Sequence, residues 1–190
     1  SPAPGGGSIS AYMGALASSL ATMVANLSSH KRGWDDRWEE FSNWAERGKA
    51  YQVELIKMVD EDTNAFNRIM DAFGLPKKTE EEKAARHQAI QDATKFATEV
   101  PFKTMMLCYE CMEVVKAMAE IGNPNSVTDA GVGALAARSG VIGAFLNVKI
   151  NAAGLKDRAT ADKLVGEANE LIKKANEQEA EIMKIVEEKL

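Results

Sequence analysis

The sequence predicts an all-α protein, a bundle of about six helices. Three observations predict it. Apolar residues recur at steps of three, four and seven through several long segments. Glycine, proline and capping residues punctuate those segments where helices should start and stop. No strand-length run of β-branched residues bounded by turn signals occurs.

Each element has its own signature. Pro4-Gly5-Gly6-Gly7-Ser8 reads as a loop, with Ser8 as the N-cap of a first helix that reaches about Leu27 or Ser28. Residues from His30 to Asp36 form a turn. A long second helix starts near Asp36 and stops at Gly74, with Pro76 just beyond. Thr79 and Glu82 make a capping box for a third helix, which reaches Val100 before Pro101 breaks or kinks it. A fourth, methionine-rich helix spans Phe102 to Ile121. A polar loop from Gly122 then leads to a fifth helix, capped by Thr128 or Asp129, that runs to about Asn151. After a turn from Gly154 to Thr160, Leu164, Ala168, Leu171, Ala175, Ile182 and Val186 mark one face of the last helix. The other face of that helix is charged, so it is expected on the surface.

The fifth helix holds Gly131, Gly133, Gly140 and Gly143, each costing up to about 1 kcal/mol against alanine. Close backbone approach is the compensating reason to expect. The first helix offers matching small residues in Gly14, Ala15, Ser18, Ala21 and Ala25. These two helices should pack on each other or across a dimer.

At 190 residues the chain is expected to be a single domain, 1–190, with 158–190 as a C-terminal surface helix. A hydrophobic fraction of 45% with 27% charged residues argues against disorder. A net charge of −5 without a basic block argues against nucleic acid as a partner. Cys108 and Cys111 make no disulfide framework and fit a reducing cytoplasm. No charged residue occurs from Ser1 to Ser29, but serines, a threonine, an asparagine and many alanines make that run too polar for a membrane span. A buried central helix or a subunit interface fits better. The chain opens without a methionine, already in a loop, and is expected to be a piece of a longer one.

One carboxylate stands in the wrong place. Phe41, Ala45, Gly48, Leu55, Val59, Phe66, Ile69 and Phe73 form one apolar stripe of the second helix. Gln52 and Asp62 interrupt it, whereas Asp60 and Glu61 point elsewhere. A buried, unpaired carboxylate costs several kcal/mol or takes up a proton. Asp62 is therefore either an acid–base group or a carboxylate tied to a cation or a helix end.

Other segments carry weaker signals. Gly5, Gly6 and Gly7 before a helix can cradle an anion or serve as a plain entry turn. Without a Walker lysine or a preceding strand, nucleotide binding is not expected. The two cysteines, with only His30 and His87 beside them, fall short of a zinc ligand set and read as core thiols, so no metal site is expected. Asn123, Asn125, Ser126 and Asp129 form a loop rich in short hydrogen-bonding groups, suited to a polar heterocycle or to capping. Asn147 and Asn151 lie four apart on an otherwise apolar helix and must cross-link helices or face a ligand. Lys77 and Arg86 read as surface cations.

Three segments taken together are more specific. They are Pro2-Ala3-Pro4-Gly5-Gly6-Gly7-Ser8; Leu75-Pro76-Lys77-Lys78-Thr79 followed by an acidic run to Arg86; and residues 122–129 with Phe145-Leu146-Asn147-Val148-Lys149-Ile150-Asn151. In this order the chain resembles the cyclodeaminase domain family, which includes the C-terminal half of formiminotransferase-cyclodeaminase and stand-alone methenyltetrahydrofolate cyclohydrolases. The resemblance covers nearly the whole chain, apart from a short helix that usually precedes the glycine loop. It implies an all-helical fold, a homodimer or larger assembly and a folate substrate. The family's catalytic aspartate lies in a Val-Asp-x-Asp segment, which here is Val59-Asp60-Glu61-Asp62, so the resemblance assigns catalysis to Asp62.

The function expected from this resemblance is cyclodeamination of 5-formiminotetrahydrofolate to 5,10-methenyltetrahydrofolate with release of ammonia. A formiminotransferase domain is the expected fused or separate partner. No cofactor is expected beyond the folate substrate. The glycine loop, with Ser8 and a cation such as Lys77 or Arg86, is expected to hold the glutamate carboxylates, those of polyglutamylated folate included. The neighbouring expectation is a cyclohydrolase, in which water attacks the methenyl carbon. A third, of a different class, is a non-catalytic helical dimerisation module.

Overall fold

The computed structural model describes residues 3–190. Six α-helical segments follow in order: α1 (Gly6–Ser29), α2 (Trp38–Gly74), α3 (Glu80–Glu110), α4 (Met112–Ile121), α5 (Val127–Ala153) and α6 (Arg158–Glu187). No strand occurs among the described residues. Segments α3 and α4 are separated only by Cys111, whose backbone stays helical (φ −64°, ψ −20°). Counted as rods the bundle therefore has five members rather than six.

The all-α class matches the sequence reading, and several boundaries shift for physical reasons. Helix α1 begins at Gly6, so Ser8 lies inside its first turn and is not the N-cap. Gly5 holds that position and has no side chain to offer. A 3-10 turn, Asp35–Arg37, precedes α2, and Gly33 adopts φ +85° in the connection before it, a conformation glycine takes without strain. The capping box of α3 forms as read: Thr79 Oγ1 accepts from the Glu82 amide, and Glu82 accepts from the Thr79 amide. Pro101 neither ends nor separates that helix. Helix α5 starts at Val127, before Thr128 and Asp129, so neither caps it. Asn123 instead accepts from the Asn125 amide to start the 3-10 turn Pro124–Ser126. Asp157 caps α6 by accepting from the Thr160 amide.

Small residues bring α1 and α5 together as expected. A Cβ on Gly140 would sit 2.9 Å from the Ser10 carbonyl oxygen and 2.9 Å from Cys108 Sγ. A Cβ on Gly14 would overlap the same sulfur. Gly131 and Gly133 meet only ordinary contacts, so the close approach concentrates at Gly14, Gly140 and the neighbouring Gly143. Gly6–Ser29 and Pro124–Ala153 are long and apolar enough to cross a membrane by length and composition, and in the fold they pack on one another.

The core runs between α1, α2, the C-terminal part of α3, α4, α5 and α6, with Phe41, Leu55, Met105, Met112, Val141 and Ile182 fully buried. Both cysteines are buried there. Burial pushes the Cys111 thiol up to about 12 and the Cys108 thiol well above its ordinary range. One face of α1 stays outside the core, where Ile9, Tyr12, Leu16, Met23 and Leu27 are exposed. Val132, Leu135, Leu146 and Ile150 do the same on α5. The α2 stripe is buried only over its first half. Phe66 and Phe73 are 61% and 51% exposed, because α2 projects past the end of α1 there.

Candidate active site

Asp62 is the meeting point of α1 and α2. Helix α1 begins with glycines, so no side chain of its own loop caps its first-turn amides. The Asp62 carboxylate supplies the cap from α2: Oδ2 accepts from the Ser8 amide at 2.8 Å. The Ser8 hydroxyl lies 2.9 Å from the same oxygen and 3.1 Å from the Val59 carbonyl oxygen. An N-terminal helix end favours negative charge. Asp62 is thus half-buried and partnered, tied to a helix end. Gly7 makes the approach possible, since a Cβ there would overlap the carboxylate. Gly5 and Gly6 are less constrained, with nearest neighbours at 3.6 Å (Asp62 Oδ2) and 3.5 Å (Asn147 Nδ2).

A cavity of about 330 Å³ opens beside this pair. Gly5, Gly6, Ser8, Asp62, Asn147 and Asn151 line it, together with Thr63, Ala65, Phe66, Asn67, Ile69 and Ala97. Asn147 donates from Nδ2 to the Gly143 carbonyl of its own helix at 3.0 Å. Asn151 donates from Nδ2 to the Ala97 carbonyl of α3 at 2.6 Å. Both amides therefore spend a donor on the protein, and their oxygens remain as acceptors. Helix α2 lines the cavity with the Asp62 carboxylate and, one turn further along, the exposed Phe66 ring, and α5 lines it with the two amides. Such a site suits a flat, nitrogen-rich ring system held near one proton-transfer group.

The structure gathers six of the sequence-predicted residues around this cavity, with Gly7 beneath the carboxylate. It does not bring the rest. Arg86 donates from Nε and Nη2 to the Phe73 carbonyl at 3.3 and 3.1 Å, so it caps the end of α2. Lys77 is exposed in the α2–α3 connection and does not line the cavity. Asn123, Asn125, Ser126 and Asp129 lie at the other end of α1. The Asn123 amide donates to Ser28 Oγ at 2.8 Å, roughly 20 residues and hence roughly 30 Å along the helix from Gly5 to Ser8. The sequence reading missed Phe66 and Asn67 as cavity residues. Their spacing of four and five from Asp62 was the available signal, obscured because Phe66 also fits the apolar stripe.

Fold and site together define an all-helical protein with a helix-capping carboxylate at the edge of an amide-lined cavity. The family described as Formiminotransferase-cyclodeaminase matches residues 1–170. The chain belongs to that family. It is similar to methenyltetrahydrofolate cyclohydrolase of Methylorubrum extorquens, with 39% identity over all of this chain and 91% of that protein. It is 32% identical to formimidoyltransferase-cyclodeaminase of Mus musculus over 96% of this chain. The chain spans about a third (34%) of that animal relative's length. Among solved structures, formiminotetrahydrofolate cyclodeaminase of Thermotoga maritima superimposes with a TM-score of 0.85 at 27% identity, covering 98% of this chain and 89% of that one.

Proposed function

We propose that this chain is an enzyme of folate one-carbon chemistry and that it converts 5-formiminotetrahydrofolate to 5,10-methenyltetrahydrofolate and ammonia. The observation that carries the reading is the Asp62 carboxylate, held by the Ser8 amide and hydroxyl at the edge of the cavity. N10 of the folate attacks the carbon of the formimino group, which enters protonated as an amidinium cation. Asp62 takes the N10 proton and returns it to the formimino nitrogen. The carbon–nitrogen bond to that group breaks, ammonia leaves, and the methenyl bridge closes between N5 and N10. Protons and charge balance, and no atom changes oxidation state, so the chemistry calls on no redox cofactor. General acid–base catalysis of this kind contributes about 10²–10⁴-fold.

The fold shared with the Thermotoga cyclodeaminase at TM-score 0.85 supports this reading. A second reading, hydrolysis of 5,10-methenyltetrahydrofolate, is favoured by the end-to-end match to the Methylorubrum cyclohydrolase at 39% identity. There Asp62 would take a proton from the attacking water. Both reactions share the methenyl species and need the same carboxylate. The names of the animal relatives support a formiminotransferase partner, fused or separate, and the free buried thiols fit a reducing cytoplasm. Ammonia release from 5-formiminotetrahydrofolate, run beside loss of methenyl absorbance from 5,10-methenyltetrahydrofolate, separates the two. Turnover of neither substrate would overturn the functional reading.

A further inference from the structure

Pro101 lies well inside α3, and the helix runs through it. Proline has no N–H to give to the carbonyl four residues back, and its ring crowds that carbonyl. The carbonyl is that of Ala97, a buried residue at 5% exposure. A buried acceptor stripped of its helical donor needs another. Asn151 of α5 provides it, Nδ2 donating to Ala97 O at 2.6 Å.

That bond has a consequence for the cavity. Ala97 O can only accept, so the nitrogen of the Asn151 amide must face it. The amide cannot flip without setting oxygen against oxygen. Asn151 Oδ1 is therefore held on the side away from α3. No buried side-chain oxygen or nitrogen lacks a partner among the described residues, and Oδ1 makes no hydrogen bond among them, so it is reachable from solvent. Asn151 and Ala97 both line the cavity.

We propose that Pro101 is a positioning residue of the cavity: the carbonyl it leaves free fixes the Asn151 amide with its acceptor oxygen presented to the ligand. The wall then selects a donor, such as an N–H or amino edge of a heterocycle, over an acceptor. The ligand class rests on the functional reading above; the coupling of Pro101 to Asn151 does not.

Pro101→Ala restores an N–H that can return Ala97 O to the helix ladder and frees the Asn151 amide. Alanine is favourable in a helix interior, so the variant should fold. With 5-formiminotetrahydrofolate, KM should rise about three- to tenfold with kcat within about twofold, as a fractionally populated binding state requires. In an Asn151→Ala background the same change should leave KM alone. Equal effects of Pro101→Ala in both backgrounds, or no effect in either, would overturn the proposal. The side-chain amide resonances of Asn151 give a readout that needs no folate. They should be shifted and slow to exchange in the wild type and collapse toward free-asparagine values in Pro101→Ala. Unchanged resonances would overturn the proposal even if the chain proves inactive on folates.

Discussion

Gly7→Ala tests the link between helix capping and the site. A Cβ at position 7 would overlap the Asp62 carboxylate, which cannot hold its place against α1. The variant loses hydrogen bonds of 2.8 and 2.9 Å to Oδ2. Bonds to a charged group are worth about 1.5–3 kcal/mol each, and half-burial puts this pair near the low end. Alanine returns up to about 1 kcal/mol through helix propensity. A net loss of roughly 2–3 kcal/mol lowers Tm by about 4–12 °C for a domain of this size. A carboxylate displaced by about 1 Å should lower turnover on the order of a hundredfold. Gly6→Ala is the control, because its Cβ would meet nothing nearer than Asn147 Nδ2 at 3.5 Å. Thermal melting and ammonia release are measured on both variants. If Gly7→Ala melts and turns over like Gly6→Ala, the close fit of Gly7 and Asp62 is not what holds the site.

Three further outcomes follow from the fold. Arg86→Ala removes the cap on the Phe73 carbonyl and should lower stability by about 0.5–1.5 kcal/mol in denaturant titration without changing KM; a raised KM would return Arg86 to the substrate. The exposed apolar faces of α1 and α5 should be covered by a second copy, so sedimentation equilibrium at micromolar concentration should give a dimer or larger, and a monomer would contradict this. The Cys111 thiol has a pKa of about 12 in the fold against an ordinary 9.0. Between those values the folded state binds more protons than the unfolded one, so this group's stabilising contribution is complete below about pH 9 and is lost as pH rises toward 12. Cys111→Ala should flatten that alkaline decline, and an unaltered slope would assign it to other groups.

What was legible in the sequence was local. The capping box of Thr79 and Glu82 acts within four residues, and the stop at Gly74 acts within one turn. The small-residue match between α1 and α5 was also readable, because Gly140 has no other reason to be helical. The misread positions depend on partners far along the chain. The cap of α1 comes from Asp62, 54 positions from Ser8. The donor that lets α3 continue past Pro101 comes from Asn151, again 54 positions from its acceptor. Propensity rules for Ser8 and Pro101 describe a chain that must satisfy its backbone locally, and here two other helices satisfy it. Asp62 was found by pattern and by resemblance, but its partner was not, since a helix N-terminus leaves no mark near residue 62. Arg86 went the other way: an apparent surface cation is tied to a backbone carbonyl.

The most direct test of the proposed reaction is turnover by Asp62→Asn. Asparagine keeps the size and can still accept from the Ser8 amide through its oxygen, so α1 stays capped and the fold is retained. It cannot carry a proton between N10 and the leaving nitrogen. Ammonia release from 5-formiminotetrahydrofolate, measured on protein whose helicity and melting temperature match the wild type within a few degrees, should fall on the order of a hundredfold or more. Near-normal turnover in that folded variant would contradict the account and leave Asp62 as a helix cap alone.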